Sequence, residues 1–212
     1  MLGCSPLRGV LAVFAGLVLP SWAMAAGTYA CPTLPQGYGP YNYVTDKDKL
    51  AIVDGAHFTP EVQSLTRGSR GTIMGDLDYT IRAFPNHHLA LMSLSTYSRR
   101  ADFYQDDFWH QHRHFPVECY FERAVKFAPD DPNVYLVYAI QQHRKGELKA
   151  ALALYQQALK LAPGHTEAHY NLGLLYIDLN DFKSAKAQAQ LAYAKGYPLP
   201  GLRNKLKAAG AW

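Results

Sequence analysis

Two stretches of the chain, FERAVKFAPDDPNVY and YQQALKLAPGHTEAH, are variants of one phrase: aromatic, two polar residues, Ala, apolar, Lys, apolar, Ala, Pro. Their prolines, Pro129 and Pro163, lie 34 residues apart, and Ala124 and Ala158 share that offset. It carries forward from Ala158 to Ala192, Ala151 to Ala185, Leu148 to Phe182 and Tyr135 to His169. A period of this length constrains the fold strongly. Each unit must be one supersecondary element that buries its apolar face on its neighbours, and about three are needed for stability.

The two units resemble the tetratricopeptide repeat (TPR) family. In HYNLGLLYIDLNDFKSAKAQAQLAYAKGY the signature order is His169, Leu172-Gly173, Tyr176, Asp181, Phe182, Ala185, Ala189 and Ala192. YLVYAIQQHRKGELKAALALYQQALKLAP matches with Tyr135, Tyr138-Ala139, Gly146, Leu148, Ala151, Tyr155, Ala158 and Pro163. The resemblance implies an all-α fold, a right-handed α-α superhelix of helical hairpins, with the two repeats over residues 132–199. Ala139 and Gly173 are small where one helix of a hairpin must approach its partner, and Leu148 and Phe182 begin the second helix.

Backward from Pro129, Val117, Phe121 and Ala124 fit a second helix in the same register. Its first helix is displaced: Pro85 precedes Pro129 by 44 residues, ten more than the period. Residues 58–131 therefore read as degenerate repeat-like helices with an insertion at about 101–114. Among them a half-repeat near Thr72 to Phe84 precedes the degenerate repeat that holds the insertion, and Thr59, Pro60 and Glu61 supply an earlier helix start. Leu202 and Leu206 at i, i+4 make residues 200–212 a closing helix. Residues 26–57, dense in Pro, Gly and Tyr at their start, read as an extended N-terminal arm.

The apolar run GVLAVFAGLVL, broken by Pro20 and followed by SWAMA, reads as a signal peptide over residues 1–25, cleaved after Ala25. The run is too short to span a bilayer, so no membrane span is expected after signal removal. The expected destination is export, to the bacterial periplasm. Of three cysteines Cys4 leaves with the signal, and Cys31 and Cys119 remain; one disulfide is the default in an oxidising compartment, with two free thiols as the alternative. In the repeat register Cys119 falls off the core stripe, level with Ala153 and Ala187, with its thiol facing away from the hairpin core. Pairing with Cys31 would staple the arm along the outside of the solenoid. The formal charge is +4, and the Lys and Arg are spread through the chain without a basic run, so no nucleic-acid surface is indicated.

The stretch DDFWHQHRHF, inside the insertion, is the one candidate for metal chemistry. Asp106, His110, His112 and His114 could present ligands to zinc or copper, either from an extended loop or along one helix face. A solvated or packed loop is the alternative, and no HExxH, CxxC or G-x-S-x-G motif is present. His87-His88 lies at a helix start, where capping is the expected role. GSRGTIMGD is expected to be a helix break rather than a phosphate loop.

The TPR resemblance implies instead a concave groove lined by first helices. Its residues would be Arg99, Arg100, Leu136, Ile140, His143, Arg144, Tyr170, Asn171, Leu174 and Asp178, against the alternative of an ordinary solvated helix face. The expected function is an exported scaffold that binds a protein or peptide partner, without catalysis or cofactor. A metal-dependent protein using residues 106–115 is the second possibility.

Overall fold

The structure is a computed structural model that describes Cys31 and residues 37–108 and 115–212. Residues 1–25, expected to be a signal peptide, and the histidines His110, His112 and His114 lie outside the described residues. Every described element is helical: α1 Lys47–His57, α2 Pro60–Gln63, α3 Ile73–Ala83, α4 His88–Tyr97, a 3-10 turn Ala101–Gln105, α5 Val117–Phe127, α6 Pro132–Arg144, α7 Leu148–Leu161, α8 Thr166–Asp178, α9 Phe182–Ala194 and α10 Gly201–Ala208. Successive helices pack in pairs into the α-α superhelix that the TPR resemblance implied.

Each hairpin is delimited by the same chemistry. α3, α5 and α7 end on Phe84, Ala128 and Ala162, at φ/ψ of −129/85°, −132/72° and −135/83°. Each precedes a proline, whose ring bars the α region to the residue before it. Two residues beyond each proline stands the cap of the next helix. His87 and His165 accept from Ala90 N and Ala168 N through Nδ1, and Asp131 accepts from Asn133 N. The identical ending of α3 fits the half-repeat expected over Thr72 to Phe84. His87 also realises its expected capping role.

The large residue of the signature has a visible task. Tyr135 OH donates to Pro129 O at 3.0 Å, and His169 Nε2 reaches Pro163 O at 2.9 Å. The equivalent residue on α4 is Leu91, which has no donor. The turns inside the two hairpins also match: Gly146 and Asn180, 34 residues apart, both adopt positive φ, 83° and 59°. Both are residue types that tolerate that region.

Three apolar clusters run along the stack. The first joins α2, α3, α4 and α5 through Leu77, Ile81, Leu94 and Phe121. The second joins α6, α7 and α8 through Ala139, Tyr155, Ala158 and Leu175, and the third joins α8, α9 and α10. Leu202 and Leu206 are fully buried there, as a closing helix requires. A Cβ on Gly173 would stand 2.4 Å from Leu202 Cδ2 and 3.4 Å from Ala185 O, so the space admits the closing helix α10 as well as the partner helix α9.

The extended arm is shorter than residues 26–57. Lys47–His57 is helix α1. Its sequence is weakly patterned, and tertiary contacts hold it: Val53 is buried against Ala83 and Phe84, His57 Nδ1 lies 2.7 Å from Asp76 Oδ1, and Asp54 Oδ1 lies 3.1 Å from His87 Nε2. Before it, Tyr41 N donates to Ala83 O and Tyr43 N to Asn86 Oδ1, both at 2.8 Å. Cys31 and Cys119 are joined in a disulfide with a Cα–Cα distance of 5.4 Å. Cys119 is buried, at 3% exposure, although it stands outside the apolar clusters.

Candidate interaction surface

The carboxyl ends of α4, α6 and α8 lie side by side and are stitched together by polar side chains. Arg99 Nη1 donates to Arg144 O at 3.3 Å. Arg144 Nη1 in turn donates to Ser95 Oγ and Thr96 Oγ1, at 3.0 and 3.2 Å. His143 Nε2 lies 2.8 Å from Asp178 Oδ2 on the next hairpin. Arg99 and Arg144 are exposed, and neither has an acidic partner among the described residues. Desolvation first, and the Arg99 charge second, push the Arg144 pKa down. This is the signature of two like charges held together by packing.

Beside this pair the insertion opens the hairpin of α4 and α5. A cleft of about 350 Å³ is lined by Ser98, Arg99, Phe103, Tyr104, Gln141 and Lys145 among others. Gln141 is buried and accepts from Ser95 Oγ at 2.7 Å. Lys145 is paired with Glu118 on α5. Phe103, Tyr104 and Gln141 escaped the sequence reading. The signal available was the excess of ten residues, which must widen the hairpin that it interrupts.

Several expected groove residues are placed elsewhere. Leu136 and Ile140 are buried, at 3% and 7%, in the second apolar cluster, because α6 packs closely against its neighbours. Tyr170, at 7%, lies under the closing helix: its ring is 4.5 Å from that of Tyr197, and a Cβ on Gly201 would meet its hydroxyl. Arg100 is turned away, donating to Leu65 O at 2.6 Å and forming a two-point pair with Asp102. Asn171 Nδ2 donates to Glu167 O on its own helix. Leu174 is half-buried beside the third cluster. Arg99, His143, Arg144 and Asp178 are brought together along the edge.

Asp106 does not serve as an open metal ligand. Its carboxylate is 7% exposed and accepts from Thr72 Oγ1 at 2.6 Å, Phe108 N at 3.0 Å, Met74 N at 3.1 Å and Tyr97 OH at 2.9 Å. Four donors occupy its lone pairs, so it caps α3 and ties the insertion to it. Burial and Asp106 raise the Tyr97 pKa. GSRGTIMGD closes on a carboxylate of the chain itself: Ser69 N and Arg70 N both donate to Asp76.

A second polar seam joins the arm to the repeats. Asn86 Nδ2 lies 3.1 Å from both Asn42 Oδ1 and Asp131 Oδ2. Asp78 accepts from Arg82 Nε at 2.7 Å and from Tyr120 OH at 2.8 Å, linking α3 to α5. Every group in these two sets is buried or half-buried, which marks them as structural joints.

Residues 142–193, from the end of α6 through α9, match the Tetratricopeptide repeat family model. This segment is similar to tetratricopeptide repeats. Among solved structures, the chain is similar to the thermophilic TPR protein TTC0263 of Thermus thermophilus, at 19% identity over 78% of this chain and 75% of that one, with a TM-score of 0.48. Two crystal structures of MamA match at 16% and 15% identity, over 66% and 78% of this chain and 78% and 85% of theirs, with TM-scores of 0.46 and 0.49. A comparison with curated proteins returned no match.

Proposed function

We propose that the chain is an exported, non-catalytic scaffold of the TPR type. It holds a protein or peptide partner along the edge formed by the carboxyl ends of α4, α6 and α8. The observation that carries the reading is the pair Arg99 and Arg144, two exposed guanidinium groups side by side without an acidic partner among the described residues. Such a pair is relieved by a carboxylate from a partner, and arginine is enriched where interfaces concentrate their energy. The adjoining cleft offers the exposed ring of Tyr104 to an apolar side chain beside that carboxylate. Export is supported by the signal-like N-terminus and by the bonded Cys31 and Cys119, since such bonds persist in oxidising compartments.

The test uses site-specific photo-crosslinking in the native exported fraction. A photo-reactive residue at Thr96 should capture a protein that is lost when Arg99→Glu and Arg144→Glu are added, whereas one at Gln156 should not. Capture that ignores both charge reversals would sink the reading. Secretion of an enzyme fused after residue 25 checks export separately.

A further inference from the structure

The charge of the chain is divided along its length. From Pro132 onward ten lysines and arginines stand against four acids, whereas residues 37–131 carry ten against thirteen. Such asymmetry between halves points to an anionic surface as partner. Within the basic half the signs are sorted again, by helix. α7, α9 and α10 carry seven cations and no acid. Glu147, Glu167, Asp178 and Asp181 all lie on α8 or in the turns inside the hairpins.

Lys149, Lys160 and Lys183 share a face. Lys149 and Lys160 bound an exposed stripe on α7 whose middle is Ala153 and Gln156, and Lys183, Ala187 and Gln190 repeat it on α9 at the same offset of 34. These lysines make no ion pair among the described residues. Leu161 and Leu191 stand among them at 37% and 49% exposure, and Leu199 and Trp212, at 51% and 41%, flank α10. The stripe ends at α5, where the equivalent position is Cys119, joined to Cys31, and Glu122 follows.

We propose that this outer face, formed by α7 and α9 and extended by α10, docks peripherally on a bilayer rich in anionic phospholipid. Lysines interspersed with exposed leucines suit a headgroup layer above acyl chains, where the ammonium groups meet phosphate and the apolar side chains leave water. A nucleic acid would call for aromatic platforms or arginine forks among the cations, and six of the seven are lysine. No described helix is long and apolar enough to cross a membrane, so the contact is on the surface. It leaves the edge carrying Arg99 and Arg144 free.

Vesicle sedimentation tests the proposal with the mature protein. Binding should require phosphatidylglycerol mixed into phosphatidylcholine, and should weaken roughly fivefold for each cation removed. The triple variant Lys149→Glu, Lys183→Glu and Lys186→Glu should therefore lose binding at least about a hundredfold, with its helix content unchanged. Leu191→Ser should weaken vesicle binding and leave binding to dextran sulfate unaltered. Failure to bind anionic vesicles, or indifference to the triple variant, overturns the proposal. So does equal binding to dextran sulfate and vesicles with no effect of Leu191→Ser, which would indicate a general polyanion site.

Discussion

The imidazole of His165 spans a repeat boundary: Nδ1 lies 3.4 Å from the Ala168 N that it caps, and Nε2 lies 3.1 Å from Asn133 Oδ1 on the preceding hairpin. The geometry needs the neutral ring, with its proton on Nε2. Burial is the leading cause that holds the His165 pKa below 6.5, and burial takes His88 down to about 4, with His87 the second cause. Both folded values are depressed, so the unfolded chain takes up protons first. Their contribution is complete above pH 6.5 and is lost as pH falls towards 4. Urea midpoints should therefore decline through that window, with His88 accounting for about 2 kcal/mol once its partial exposure is allowed for. His88→Gln and His165→Asn should flatten the decline.

Reduction of Cys31–Cys119 releases a constraint on a sequence separation of 88 residues. Chain entropy sets the loss at up to about 4–5 kcal/mol. Thermal unfolding of the mature protein with and without reductant measures it, and the Cys119→Ala variant should no longer respond to reductant.

Asp106→Ala should destabilise the chain by about 3 kcal/mol, because it leaves Met74 N, Phe108 N and two hydroxyl groups without their acceptor. Metal removal separates the two uses of this stretch. With Asp106 already saturated, a chelator should leave the unfolding midpoint unchanged. A fall in the midpoint that zinc or copper restores, and that His110→Ala with His112→Ala abolishes, would instead assign the histidines to a metal.

Gly39→Ala should loosen the arm. The residue has φ of 100°, and a Cβ there would stand 2.4 Å from Ala83 O, a backbone atom that cannot step aside. The expected cost is about 2–3 kcal/mol. Amide exchange should show it first at Tyr41 N, which donates to that same carbonyl.

The repeats were legible in the sequence because their period, prolines and small residues are local and recur. Pro85 was legible for the same reason, and Phe84 adopts the backbone conformation of Ala128 and Ala162. α1 was not, since the helix rests on Val53, Asp54 and His57 meeting residues far away in sequence. The groove was half legible. Of the residues its register named, Arg99, His143, Arg144 and Asp178 lie together on one edge. But register does not tell how closely neighbouring helices approach, and that closeness buried Leu136, Ile140 and Tyr170.

The prolines at 85, 129 and 163, each followed two residues later by a cap, divide the chain at chemically equivalent seams. Because the same seam chemistry closes each unit, a second copy of residues 132–165 placed in tandem would enter and leave through seams of the kind the chain already has, with a copy of α6 taking the place of α8 beside α7. The array is thus divided into units of equal length, which gene duplication can add while keeping the seams in register.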